Sequence, residues 1–236
     1  MVHQLNRTYL TPEEIQLFRH NGFIKFPTCL TIDHIETIKS TALEDMKKQI
    51  EPVIKQNGQV IRISKIWERG GIFRQTIESE MILGPLSSLL GSNIDYILNR
   101  HNHIYLRNRE STHSLELHRD VQHWTRTIVT ILVYLEETTL ANGCTHVVPG
   151  SHLLSDLLPQ STKVSQLQTV PIPMPAGGII AINSMILHST GINQTNGTRM
   201  SMTLGYHHAD ELSLANPKRI LVRGKRVYSG NDEEEY

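Results

Sequence analysis

A chain of 236 residues, 39% hydrophobic and 19% charged, can bury one large core, and this composition excludes general disorder. Lys+Arg 23 against Asp+Glu 23 gives no net charge, so the sequence carries no electrostatic footprint for nucleic acid or an anionic membrane surface. Cys29 and Cys144 stand far apart in no metal-like spacing and are expected as free thiols. With no signal-like start and no bilayer-length apolar run, the expected location is the cytosol.

Thr11-Pro12-Glu13-Glu14 supplies an N-cap, a proline in the first helical turn and a glutamate that closes a capping box, so a helix starts here and Gly22 stops it. Phe23 to Pro27 alternates like a strand. A second helix follows Thr31, with Ile35, Ile38, Ala42 and Met46 three or four residues apart, and ends by Pro52. Residues 53–74 contain the alternating run Val60 to Trp67 between glycines, a pattern compatible with a strand or with a mobile flap. A third helix is expected from about Thr76 to Leu90, closed by Gly91.

Beyond Ile94 the hydrophobic period changes to two. Candidate strands are 94–107, 113–122, 126–135, 144–148, 168–173, 178–182, 186–190 and 199–207. About eight strands suffice for two packed sheets in the jelly-roll or cupin manner. The chain therefore reads as a single domain, mainly β with α. About 1–92 form a helical N-terminal support packed outside, about 93–208 the β core, and 209–236 a C-terminal extension with an acidic end.

The chemistry concentrates in Leu115-Glu116-Leu117-His118-Arg119-Asp120-Val121. On a strand, His118 and Asp120 share one face while Arg119 points to the other. An unpaired carboxylate on an inward face is costly, and two histidines with one carboxylate make the facial triad of non-haem iron sites. His188, at the end of the apolar run Ala181 to Leu187, is the candidate third ligand.

These residues, together with Asn142 to His152, which contains Pro149-Gly150-Ser151-His152, and with Arg199 eleven residues after His188, resemble the phytanoyl-CoA dioxygenase family from about residue 10 to 208. The resemblance implies a double-stranded β-helix, Fe(II) held by His118, Asp120 and His188, and 2-oxoglutarate and O2 as co-substrates. It places Arg199 on the far carboxylate of 2-oxoglutarate, a role suited to a planar guanidinium fork. Thr190 and Ser201, each two residues beyond its partner, are candidate hydroxyl donors on the same faces. His146 and His152 are assigned to architecture, since the triad is complete without them. The retained carboxylate argues against halogenation, and hydroxylation of a small molecule is the implied outcome.

Around the motif lie Arg100, Arg107, Arg109, Arg119 and Arg126 with His101, His103, His113 and His123, a local basic excess. Some of these are expected at the pocket mouth, facing an anionic or polar substrate. Strand parity continued past Asp120 brings Gln122 and Trp124 to the metal side, and Tyr134 and Arg126 are further substrate-lining candidates. Natural-product tailoring is the favoured context.

Overall fold

The computed structural model describes residues 7–111, 116–121, 128–154, 167–210 and 218–226. Helix α1 (Pro12–Asn21) has the reciprocal Thr11–Glu14 capping box, and Gly22 ends it at φ 81°. Strand β1 (Phe23–Cys29) leads to α2 (Ile32–Lys48), capped by the Thr31 hydroxyl and burying Ile35, Ile38, Ala42 and Met46.

Residues 53–64 take the strand alternative. Strands β2 (Val53–Gln56) and β3 (Gln59–Ser64) form a hairpin, followed by the short α3 (Ile66–Arg69). The expected helix 76–90 is two helices, α4 (Gly71–Ile77) and α5 (Glu80–Leu90). The Tyr206 hydroxyl takes the carbonyl of Ile77 at 2.9 Å, and Ser79 is extended at the break. Pro85 lies inside α5 and has no N–H to give to Met81, whose carbonyl instead accepts from the Thr28 hydroxyl.

The remaining strands are β4 (Ile94–Ile97), β5 (Asn102–Arg107), β6 (Ile128–Tyr134), β7 (Thr145–Val147), β8 (Val170–Ile172), β9 (Gly178–Asn183), β10 (His188–Thr190), β11 (Arg199–His208) and β12 (Arg219–Arg223). The run 94–107, expected as one strand, turns sharply between β4 and β5, with His101 left-handed at φ 50°. The larger sheet runs β1-β9-β6-β11-β5-β3-β2, with β4 on β11 and β12 on β4; the smaller runs β10-β7-β8. A bridge between His118 and His188 adds one more pairing to the smaller sheet. This two-sheet arrangement is a double-stranded β-helix.

Parity explains the sequence of the central strands. On β6, Val129, Ile131 and Val133 join the core beneath the helices, as do Met200, Met202, Leu204 and Tyr206 of β11. Their alternates turn inward, so Arg199, Ser201 and Thr203 face the space between the sheets with Thr130 and Leu132. A smaller core of Tyr134, Val147, Ile172, Ile180, Ile182 and Ile186 closes one end.

The first 92 residues contribute β1, β2 and β3 to the larger sheet, and the C-terminal extension contributes β12. Arg219 and Arg226 pair with Asp95 of β4, which is fully buried, at 3.2 and 2.8 Å. Among the described residues no helix is long and apolar enough to cross a membrane.

Candidate active site

The bridge that joins His118 to His188 is a reciprocal pair of backbone hydrogen bonds of 2.9 and 3.0 Å. It sets the two imidazoles side by side with ring centroids 4.4 Å apart. Nδ1 of His118 lies 3.0 Å from the carbonyl of Glu116, and Nδ1 of His188 lies 3.1 Å from that of Ile186. Each carbonyl only accepts, so each Nδ1 carries a proton, and Nε2 is the ring nitrogen left to serve as a metal ligand.

Asp120 completes the group, and one donor atom from each of the three residues lies within 4.8 Å of the others. Its Oδ1 is 3.6 Å from Nε2 of His188, while its Oδ2 accepts from the Thr130 hydroxyl at 2.8 Å. Thr130 in turn bonds Ser184 at 2.8 Å. Burial by itself would raise the carboxyl, but the imidazoles of His101 and His188 and the Thr130 hydroxyl hold Asp120 below the usual carboxylate range. Burial pushes His188 down against the opposing pull of Asp120, which favours the neutral ring. Two imidazoles and one carboxylate on one side of a cavity fit Fe(II).

The cavity, about 160 Å3, is built in layers by strand register. Thr203 of β11 stands between His103 of β5 and Leu132 of β6, and Ser201 stands between Tyr105 and Tyr134. Beyond them Arg199 faces Arg107 directly across the pair. Thr190 and Ser201, named from spacing alone, both line the cavity, as do Arg62, His101 and Thr145.

Arg199 is 3% exposed, and its Nε and Nη1 are buried with no hydrogen-bond partner. Nη2 lies 3.4 Å from the Thr145 hydroxyl, and the guanidinium lies beside Tyr134, 5.7 Å from the centre of its ring. A fork of unused donors on a buried cation fits the distal carboxylate of 2-oxoglutarate.

Tyr134 is fully buried, its hydroxyl 2.7 Å from that of Thr145 and its ring centre 5.7 Å from the Arg199 guanidinium. Parity on β6 turns it inward beside Ser201, at the arginine end of the cavity. Gln122, Trp124 and Arg126 lie outside the described residues, as do His113 and His123. Of the other basic residues, Arg107 lines the cavity and burial lowers it to about 10, with Arg199 adding to the effect. Arg100 and Arg109 are exposed, and Arg119 points away, donating to the carbonyls of Ser151 and Leu154. His152 serves the architecture, its Nε2 2.9 Å from the carbonyl of Arg19.

Sequence reading missed Arg62, Thr130 and Thr145. Arg62 enters because β3 pairs with β5 and sets it opposite Tyr105, whose hydroxyl accepts from it at 3.3 Å. The alternation Arg62-Ile63-Ser64 marked a strand but not its partner. The two threonines are ordinary strand residues with no sequence signal.

Among curated proteins the chain is 23% identical over 222 residues to Dioxygenase trt7 of Aspergillus terreus, covering 85% of this chain and 74% of that one. Among solved structures it is similar to the non-heme alpha ketoglutarate dependent carbocyclase SnoK from nogalamycin biosynthesis, with TM-score 0.71, 19% identity and 85% of each chain covered. It is also similar to the epimerase SnoN in complex with Fe3+, alpha ketoglutarate and nogalamycin RO, with TM-score 0.69, 18% identity, and 93% and 95% covered. Residues 18–201 match the phytanoyl-CoA dioxygenase (PhyH) family along most of the chain, and on that match, with the double-stranded β-helix and its two-histidine, one-carboxylate cluster, this protein belongs to that family.

Proposed function

We propose that the protein is an Fe(II)- and 2-oxoglutarate-dependent oxygenase that hydroxylates an unactivated C–H bond of a small anionic or polar metabolite. The observation that carries this is the buried Arg199, whose unpartnered Nε and Nη1 share one cavity with the His118, Asp120 and His188 cluster. Bound iron with 2-oxoglutarate and O2 supplies the oxidant, with succinate and CO2 as co-products.

The chain's own part is binding and exclusion. His118, Asp120 and His188 hold the metal from one side and leave three cis positions free. Arg199 fixes the distal carboxylate of the co-substrate, with the hydroxyls of Ser201, Thr190 and Thr145 at hand in the same cavity. The apolar core behind β6 and β11 holds these two strands, and with them the cavity-facing side chains, in fixed register. Among the described residues the cavity lining holds three arginines, Arg62, Arg107 and Arg199, against one acid, Asp120, which favours an anionic substrate beside a dianionic co-substrate. The names of the relatives, among them two proteins of nogalamycin biosynthesis, support natural-product tailoring.

The test begins without air. Adding Fe(II) and then 2-oxoglutarate to the purified protein should give a visible absorption band in the native chain and none in Asp120→Ala. Admitting O2 and screening carboxylate, phosphate, amino-acid and terpenoid or polyketide compounds for stimulated succinate release then identifies the substrate class. A product heavier by one oxygen supports hydroxylation, whereas loss of two hydrogens marks desaturation or ring closure by the same residues. Absence of both band and succinate would leave a silent β-helix binding protein.

A further inference from the structure

His101 lines the cavity beside the triad but belongs to neither the triad nor the co-substrate arginine. It sits in the turn between β4 and β5 at φ 50°, a left-handed conformation that costs a non-glycine residue about 1 kcal/mol. Opposite it is Gly205, where an added Cβ would come within 3.1 Å of the His101 Cβ. The missing side chain at 205 leaves room for the backbone turn and the Cβ that carry the imidazole.

The ring that occupies this space is not a ligand, since it lies outside the group of three whose donor atoms all meet within 4.8 Å. Its side chain is 10% exposed, and its Nε2 is buried without a hydrogen-bond partner. The acid nearest that nitrogen is Asp120, whose Oδ2 lies 3.7 Å away. That is too long for a hydrogen bond, but such contacts are commonly long before a site is loaded and tighten when it fills.

The two oxygens of Asp120 face different neighbours. Oδ1 is the one beside Nε2 of His188, while Oδ2 already accepts from Thr130 and faces His101. Resting on the iron assignment above, we propose that His101 is a positioning residue: it donates from Nε2 to Oδ2 of Asp120 and keeps that carboxylate a single-oxygen ligand through Oδ1. With Oδ2 held by two donors, the carboxylate cannot swing to chelate through both oxygens. The coordination positions needed by 2-oxoglutarate and O2 stay open.

The test compares His101→Leu, His101→Gln and His101→Asn by anaerobic Fe(II) titration of the apo-protein against a competing chelator. It adds the visible band formed with 2-oxoglutarate and apo-protein melting as a fold control. His101→Leu should bind iron about 10- to 100-fold more weakly, the range for loss of a residue that orients a ligand, and should shift the band. His101→Gln, whose amide reaches the place of Nε2, should recover near-native affinity and band, and His101→Asn, which reaches only the place of Nδ1, should not. If His101→Leu does not fold, the Gln and Asn pair decides the matter alone. Native affinity and an unshifted band in His101→Leu, or equal behaviour of Gln and Asn, would overturn the proposal and leave the iron site standing. A native protein that binds no iron would overturn both.

Discussion

Replacing Arg199 by methionine separates a binding residue from a structural one, because the two roles predict opposite effects on the apo-protein. In the structure the guanidinium is buried with Nε and Nη1 unpartnered and one long contact of 3.4 Å at Nη2. A buried unsatisfied donor costs about 1–3 kcal/mol, so Arg199→Met should stabilise the apo-protein by about that amount. For a chain of this size the melting midpoint should then rise by about 2–4 °C per kcal/mol. Towards 2-oxoglutarate the sign reverses. Two charge-assisted hydrogen bonds to a carboxylate, at about 1.5–3 kcal/mol each, imply a loss of at least about 3 kcal/mol, or about 100-fold in affinity. Arg199→Lys keeps a point charge without the fork and should lose about tenfold. The assays are anaerobic titration of the iron-loaded protein with 2-oxoglutarate, followed at the visible band, and melting of the apo-protein by circular dichroism. Arg199→Met with native co-substrate affinity, or with a lowered apo melting midpoint, would refute this reasoning.

Arg107→Gln should raise the apparent KM for substrate or co-substrate, because Arg107 lines the cavity opposite Arg199, while Arg100→Gln, exposed and outside the cavity, should leave both unchanged in succinate assays. Asp95→Ala strands Arg219 and Arg226 around a fully buried site and should destabilise the fold by about 3 kcal/mol, whereas Arg226→Ala, about half exposed, should cost under about 1 kcal/mol in urea unfolding. His152 is pushed down by burial, so the unfolded chain takes its proton first; the stability is present above about pH 6.5 and lost as pH falls through the lower folded value. Melting between pH 7 and 5 should therefore drop less for His152→Gln, which retains a donor for the carbonyl of Arg19, than for the native chain.

Much of the fold was legible because its signals are local. The Thr11 capping box, the α2 periodicity and the alternation of β6, β9 and β11 are set by neighbours three, four or two residues away, and each appears where the sequence puts it. The elements that departed from expectation or were left open were decided by distant partners. Helix 76–90 breaks where Tyr206 captures the carbonyl of Ile77, the stretch open to strand or flap becomes a sheet edge because β3 finds β5, and the C-terminal extension enters the sheet because Asp95 draws in its arginines.

The same division runs through the site. By itself the sequence marked His118 and Asp120 as a spaced pair of ligand types and His188 and Arg199 as the residue types an iron and dicarboxylate site would use; the strand expected over 113–122 is, in the described residues 116–121, a single bridge at His118. Only the tertiary structure decided that His118 bonds to His188 across the smaller sheet, that Thr130 and His101 flank one oxygen of Asp120, and that Tyr134 lies under Arg199. Periodicity fixes which way a side chain points. What it meets there depends on strand register, and register is set by residues far away in the chain.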